Sequence, residues 1–183
     1  YEDYDKPFSN WGYLDQSLLF CKDCGHYSIH KVLDIDYIYK NYLTTSSSSY
    51  GATKCLDNFI GFIKENTESI EDKIVIDVGG NDSYLLNQIL SKKKINIDIK
   101  ASGGSDIHLV AKKVEDADYS VYKGEGKIYV TSHTLEHVIH PGYVLSKIQK
   151  SLSYDDLIFI QVPSIELLVK RLKFEQICHQ HLH

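Results

Sequence analysis

The chain has 183 residues, of which 43% are hydrophobic and 25% charged, and its formal net charge is −5. This is the composition of a globular protein with room for one full domain and appendages. The acidic balance excludes the basic footprint of a nucleic-acid binder, and no apolar stretch approaches the roughly 20 residues of a membrane span.

The opening at Tyr1 reads as neither a signal peptide nor a targeting helix, so the cytoplasm is the expected compartment. Methionine is absent throughout, which is expected of a piece of a longer chain. The first thirty residues are rich in Tyr, Asp and Ser without helical period. Within them Cys21-Lys22-Asp23-Cys24-Gly25 has the spacing of a metal-binding knuckle between short strands. A structural zinc wants four ligands, and Cys21 and Cys24 supply two. His26 and His30 are too close in sequence to complete the site comfortably. Cys55 and Cys178 read as isolated thiols.

Two helices are predicted next, over Asp34 to Tyr42 and Ala52 to Lys64. The second carries Leu56, Phe59, Ile60 and Ile63 on one face. The polar run Thr44 to Tyr50 between them is a linker or a binding loop. From Lys73 onward strands and helices alternate. Strands are predicted at Ile74–Val78, Ile95–Ile99, Ile128–Thr131 and Leu157–Val162, and helices at Ser83–Leu90, Gly142–Leu152 and Ser164–Leu172. The Lys92-Lys93-Lys94 run reads as a solvated helix end. Alternation of this kind implies a doubly wound α/β sheet, with its ligand at the carboxyl ends of the strands.

The run Asp77-Val78-Gly79-Gly80-Asn81-Asp82 lies where the first of these strands turns toward a helix. Glycines there let a ligand approach the backbone, but carboxylates at both ends would repel a pyrophosphate. An acid suits a ligand bearing an ammonium group, and S-adenosylmethionine carries an amino acid at one end and a ribose at the other. Asp98, after the next strand, is placed to accept from ribose hydroxyls. Gly79, Gly80, Asn81, Asp82, Ser132 and His133 are the remaining expected cofactor contacts.

Several segments, in order, resemble the S-adenosylmethionine-dependent sugar C-methyltransferases. Val75 to Asp82 resembles their first motif, and Thr134-Leu135-Glu136-His137-Val138 the segment after their fourth strand. Phe174 to Leu182 resembles a segment ending in a His-Glu-His triplet. Cys21-x-x-Cys24-Gly25 resembles the end of their N-terminal zinc module, whose other cysteine pair lies upstream. The resemblance implies a Rossmann-like methyltransferase sheet preceded by a small zinc-knuckle and helical module. It implies S-adenosylmethionine and structural zinc as cofactors and a nucleotide-linked keto-deoxy sugar as substrate. It also implies methylation of carbon beside a ketone through an enolate.

The resemblance maps His137 and His181 to histidines at the sugar and Tyr42 to an active-site tyrosine. Gln180 stands where the family has a carboxylate and cannot accept a proton, so a base role would fall to His181 or His137. Ser83 replaces a glycine of the first motif. The implied division is a partial zinc module at 1–33, a helical linker at 34–68 and the cofactor domain at 69–163. A substrate-binding region begins at 164–183. Two rival readings remain: an O- or N-methyltransferase acting on a related sugar, and a non-catalytic remnant that binds a ligand or partner. No nucleic-acid or membrane partner is expected, and the oligomeric state is open.

Overall fold

The computed structural model describes residues 17–30, 45–122 and 126–171. The cysteine knuckle is the tip of an antiparallel hairpin, β1 (Leu18–Phe20) and β2 (Tyr27–Ile29), with the Phe20 and Tyr27 rings in tilted contact at 4.7 Å between centroids. Helix α1 (Tyr50–Glu65) follows the serine run and starts at Ser49, whose Oγ accepts from the Ala52 N–H at 3.2 Å. A serine in extended conformation at this position caps donors that lack an intrahelical partner. The predicted linker is therefore partly the start of the helix.

Among the described residues, five parallel strands form the main sheet. They are β3 (Ile74–Val78), β4 (Lys93–Ile97), β5 (Ile107–Val110), β6 (Lys127–Ser132) and β7 (Leu157–Gln161). Their spatial order is β5-β4-β3-β6-β7. The chain steps outward from β3 to β5, then crosses back to lay β6 on the other side of β3. The order therefore reverses between β3 and β6, and there a crevice opens at the carboxyl ends of the strands.

The pleat divides the core. Val75, Ile128, Val130 and Phe159 pack with Leu56, Phe59, Ile60 and Ile63 of α1 and with Leu85 and Leu86. Ile76, Val78, Ile95, Ile97 and Tyr129 face the other side, where Val144 and Ile148 of a helix at Pro141–Gln149 cover them. Alternation puts Asp77 on the same face as Val75, toward α1.

Several boundaries differ from the sequence reading. The helix after β3, here α2, spans only Tyr84–Asn87; it starts after Ser83, which takes a left-handed backbone with φ 60°. The next strand begins at Lys93, two residues before the predicted Ile95, and ends at Ile97. Two of the three lysines, Lys93 and Lys94, are thus strand rather than helix end, with Lys94 paired to Asp106 at 3.0 Å. Strand β5 was not predicted; His108 and Leu109 lie exposed in this edge strand, which blunts its apolar signal. The later helices are α3 (Pro141–Gln149) and α4 (Ile165–Lys170), each shorter than expected, and β7 ends at Gln161 rather than Val162. No helix among the described residues is long and apolar enough to cross a membrane.

Candidate cofactor site

The turn after β3 is built for close approach. Gly79 has φ +88°, and its N–H donates to the Ile97 carbonyl at 2.8 Å. A Cβ there would lie 2.0 Å from Thr134 Oγ1. At Gly80 a Cβ would stand 2.6 Å from Asn96 Oδ1 and 2.8 Å from Asp77 Oδ2. Neither position admits a side chain without displacing its neighbours. Asn81 and Ser83 also take left-handed backbone, with φ 43° and 60°. Buried Asn96 fastens this loop: its Nδ2 donates to the Asn81 carbonyl at 3.0 Å and to Ser83 Oγ at 2.7 Å. The Ser83 hydroxyl therefore gives the loop a hydrogen bond.

Three carboxylates surround this turn. Asp77, 3% exposed, has its carboxyl pushed up to about 8, first by burial and then by the negative charges of Asp98 and Asp82. Asp98 accepts from the Asn81 N–H at 3.2 Å through Oδ2 and from the Lys100 N–H at 2.7 Å through Oδ1. Asp82 is held by the serine run, accepting from the N–H and hydroxyl of Ser47 at 3.0 and 2.6 Å. Its other oxygen accepts from the Tyr84 N–H at 3.2 Å. A shallow cleft is lined by Ser46, Leu56, Asp77, Gly79, Gly80, Leu85 and Ser132.

Strand β6 delivers the second wall. Ser132 Oγ donates to Gln161 Oε1 at 2.6 Å. His133 turns out of the strand with φ 50°, its N–H donating to the Gln161 carbonyl. Its ring stands between two side chains, with Nδ1 3.2 Å from Glu136 Oε1 and Nε2 3.6 Å from Cys55 Sγ. Glu136 is buried at 3% exposure. Burial pushes its carboxyl up, but the His133 hydrogen bond, its own backbone and the charge of His137 outweigh this and hold it below the ordinary glutamate value. His137, half-buried, closes the short 3₁₀ turn Leu135–His137.

No protein-family model matches the chain, and neither does any curated protein sequence. Solved structures do. A Bacillus halodurans protein assigned as a methyltransferase superposes with TM-score 0.52 at 13% identity, covering 70% of this chain and 62% of that one. A chain from the complex of the Haloferax volcanii Trm112 methyltransferase activator with a protein assigned as a methyltransferase gives TM-score 0.54 at 12% identity. That match covers 73% of this chain and 66% of the other. The fold is that of the Rossmann-like methyltransferases. At such identity the likeness concerns architecture, and this chain spans less than two thirds of the length of either structure.

Within that fold, Asp77, Gly79, Gly80 and Ser132 line one cleft. Asn81, Asp82 and Asp98 buttress its turn; His133 follows Ser132 out of β6, and His137 ends the 3₁₀ turn beyond it. Tyr42, Gln180, His181, Cys178 and the helix expected at Asp34 to Tyr42 lie outside the described residues. Cys21 and Cys24 are exposed on the hairpin; Cys21 donates its N–H to the His26 carbonyl, and Gly25 with φ 73° donates back to Cys21. These bonds shape a knuckle able to present two thiolates, and hydrogen bonds from the Cys24 and Asp23 backbone lower the Cys21 thiol. Among the described residues no group of three or more His, Cys, Asp or Glu is arranged to hold a metal ion. The sequence reading missed Ser46, Leu56 and Leu85 in the cleft. It also took Cys55 as isolated, whereas the fold brings it to His133 across 78 positions.

Proposed function

We propose that this chain carries the S-adenosylmethionine-binding domain of a methyltransferase acting on a nucleotide-linked keto-deoxy sugar. The observation that supports this best is Asp77, a buried carboxyl beneath a two-glycine turn at the point where strand order reverses. A phosphate would be repelled there, whereas an ammonium group would be drawn to the carboxylate. Gly79 and Gly80 leave the space that a ligand's amino-acid end requires. Asp98, one strand away and fixed by two backbone N–H groups, keeps lone pairs for ribose hydroxyls.

When bound, S-adenosylmethionine supplies an electrophilic methyl group. The chain's own part is to hold the acceptor in line with that methyl and to take the proton from the carbon beside the ketone. Gln180 can orient a hydroxyl but cannot be the base. His137, or His181, is assigned that role, and Tyr42 that of a donor to the enolate oxygen. A placed base contributes roughly 10²–10⁴-fold, and donors to the developing enolate a comparable factor. Cys21 and Cys24 would furnish half of a structural zinc site, its other ligands coming from elsewhere.

Calorimetric titration with S-adenosylhomocysteine tests the cofactor reading, and absence of binding would overturn it. Exchange of the sugar's α-hydrogen in deuterated water tests the acceptor. His137→Asn or His181→Asn should abolish exchange and keep cofactor affinity. Parental exchange and methylation in both variants would move the assignment to transfer onto oxygen or nitrogen.

A further inference from the structure

The contact between α1 and the end of β6 has a chemistry that methyl transfer does not use. Cys55 Sγ, His133 Nε2 and Nδ1, and Glu136 Oε1 stand in sequence, with separations of 3.6 and 3.2 Å. A thiol, an imidazole and a carboxylate in this order form the relay by which proteins activate a sulfur nucleophile. We infer that Cys55 is a nucleophilic thiol that forms mixed disulfides with small-molecule disulfides at the rim of the cofactor cleft.

The three parts suit their roles. Glu136 is 3% exposed and its second oxygen, Oε2, is buried without a hydrogen-bond partner among the described residues, while Oε1 faces His133 Nδ1 at 3.2 Å. Such a carboxylate fixes the Nδ1–H tautomer and leaves Nε2 with its lone pair toward sulfur. The imidazole is held there by its own backbone, since His133 takes φ 50° and is anchored to the Gln161 carbonyl. A non-glycine residue in this region is a feature that function commonly explains. Cys55 is half-buried, and its neighbour Leu56 lines the cleft as Ser132, the neighbour of His133, does. The half-buried thiol and the His133 side chain, 44% exposed, are both open to solvent.

The step balances without further reagents. His133 Nε2 takes the Sγ proton, and the thiolate attacks one sulfur of the disulfide. A new S–S bond forms as the old one breaks, and the departing thiolate takes the proton from His133. Cys55 is oxidised and half of the small disulfide is reduced to a thiol.

The probe is 5,5′-dithiobis(2-nitrobenzoate), with the site of attachment mapped by peptide mass spectrometry. Cys55 should react about tenfold or more faster in the parent than in His133→Asn, and Glu136→Gln should fall between them. Asparagine tolerates left-handed backbone, so His133→Asn preserves the turn. A second measurement needs no variant: parental Cys55 should outpace N-acetylcysteine at the same neutral pH. The inference is overturned if Cys55 reacts no faster than N-acetylcysteine, or at one rate in the parent and in folded His133→Asn.

Discussion

Two aspartates buried at opposite ends of the sheet were given different surroundings. Asp156 sits before β7, at the amino end, with its side chain 0% exposed and 2.8 Å from the Lys127 ammonium, itself 1% exposed. It also accepts from the Lys127 and Ser153 N–H groups, each at 2.6 Å. Burial pushes its carboxyl up, but these bonds and the lysine charge prevail and hold it below the ordinary range. Asp77, at the carboxyl end, faces Asp98 and Asp82 and is pushed up to about 8. The first carboxylate is satisfied by the fold itself. The second is kept in a state that a cationic ligand would relieve, and this contrast separates a structural buried charge from one available for binding.

The largest effect should come from breaking the satisfied pair. Asp156→Ala leaves the Lys127 ammonium buried without its carboxylate, and should lower unfolding free energy by about 3–5 kcal/mol in denaturant titration. A loss below about 1 kcal/mol would mean that the pair is solvated and the contrast is false.

Asp77 should behave in the opposite sense. Its folded carboxyl titrates near 8 against 3.8 for the ordinary group, so the folded chain binds the extra proton between those values. Stability from this source is complete below pH 3.8 and declines as pH rises to about 8. Each pH unit inside that window costs up to about 1.4 kcal/mol. Asp77→Asn should therefore melt above the parent at pH 9, with the gap narrowing as pH falls. A constant gap across pH would show that Asp77 is ionised in the free protein.

Asp98→Asn sharpens the comparison by removing one of the charges that raise Asp77. Its affinity for S-adenosylhomocysteine should fall by roughly ten- to a hundredfold, the value of one or two bonds to a charged group. The Asp77 titration should move down in the same variant. A smaller effect belongs to Ser47, whose hydroxyl donates to Asp82 at 2.6 Å. Ser47→Ala should cost about 1 kcal/mol of stability. An unchanged melting curve would place Asp82 outside the architecture of the turn.

The parts legible in the sequence were those governed by local pattern. Ile74–Val78 reads as a buried strand because four of its five residues are apolar and β-branched, and the glycines mark where it must turn. Asp77 stood out because a carboxylate inside such a run requires a reason. Strand β5 was hidden because an edge strand can expose residues such as Leu109, and the Lys93-Lys94 start of β4 because its lysines lie at the sheet's end. Ser83 lies just before the helix instead of opening it, through a left-handed backbone conformation that no composition signals. The Cys55–His133–Glu136 relay joins residues 78 and 3 positions apart, and only the packing of α1 against the end of β6 makes it one group.

The measurement that tests Asp77 most directly is proton release on binding. Calorimetric titration of S-adenosylhomocysteine at pH 7, repeated in buffers of different ionisation enthalpy, counts the protons exchanged. A carboxyl that titrates near 8 in the free protein and is ionised against the ligand's ammonium should release close to one proton per ligand bound. The release should vanish in Asp77→Asn, with much weakened binding. Parental binding that releases no proton, with Asp77→Asn equal in affinity, would contradict the assignment of Asp77 as the group that receives the cofactor.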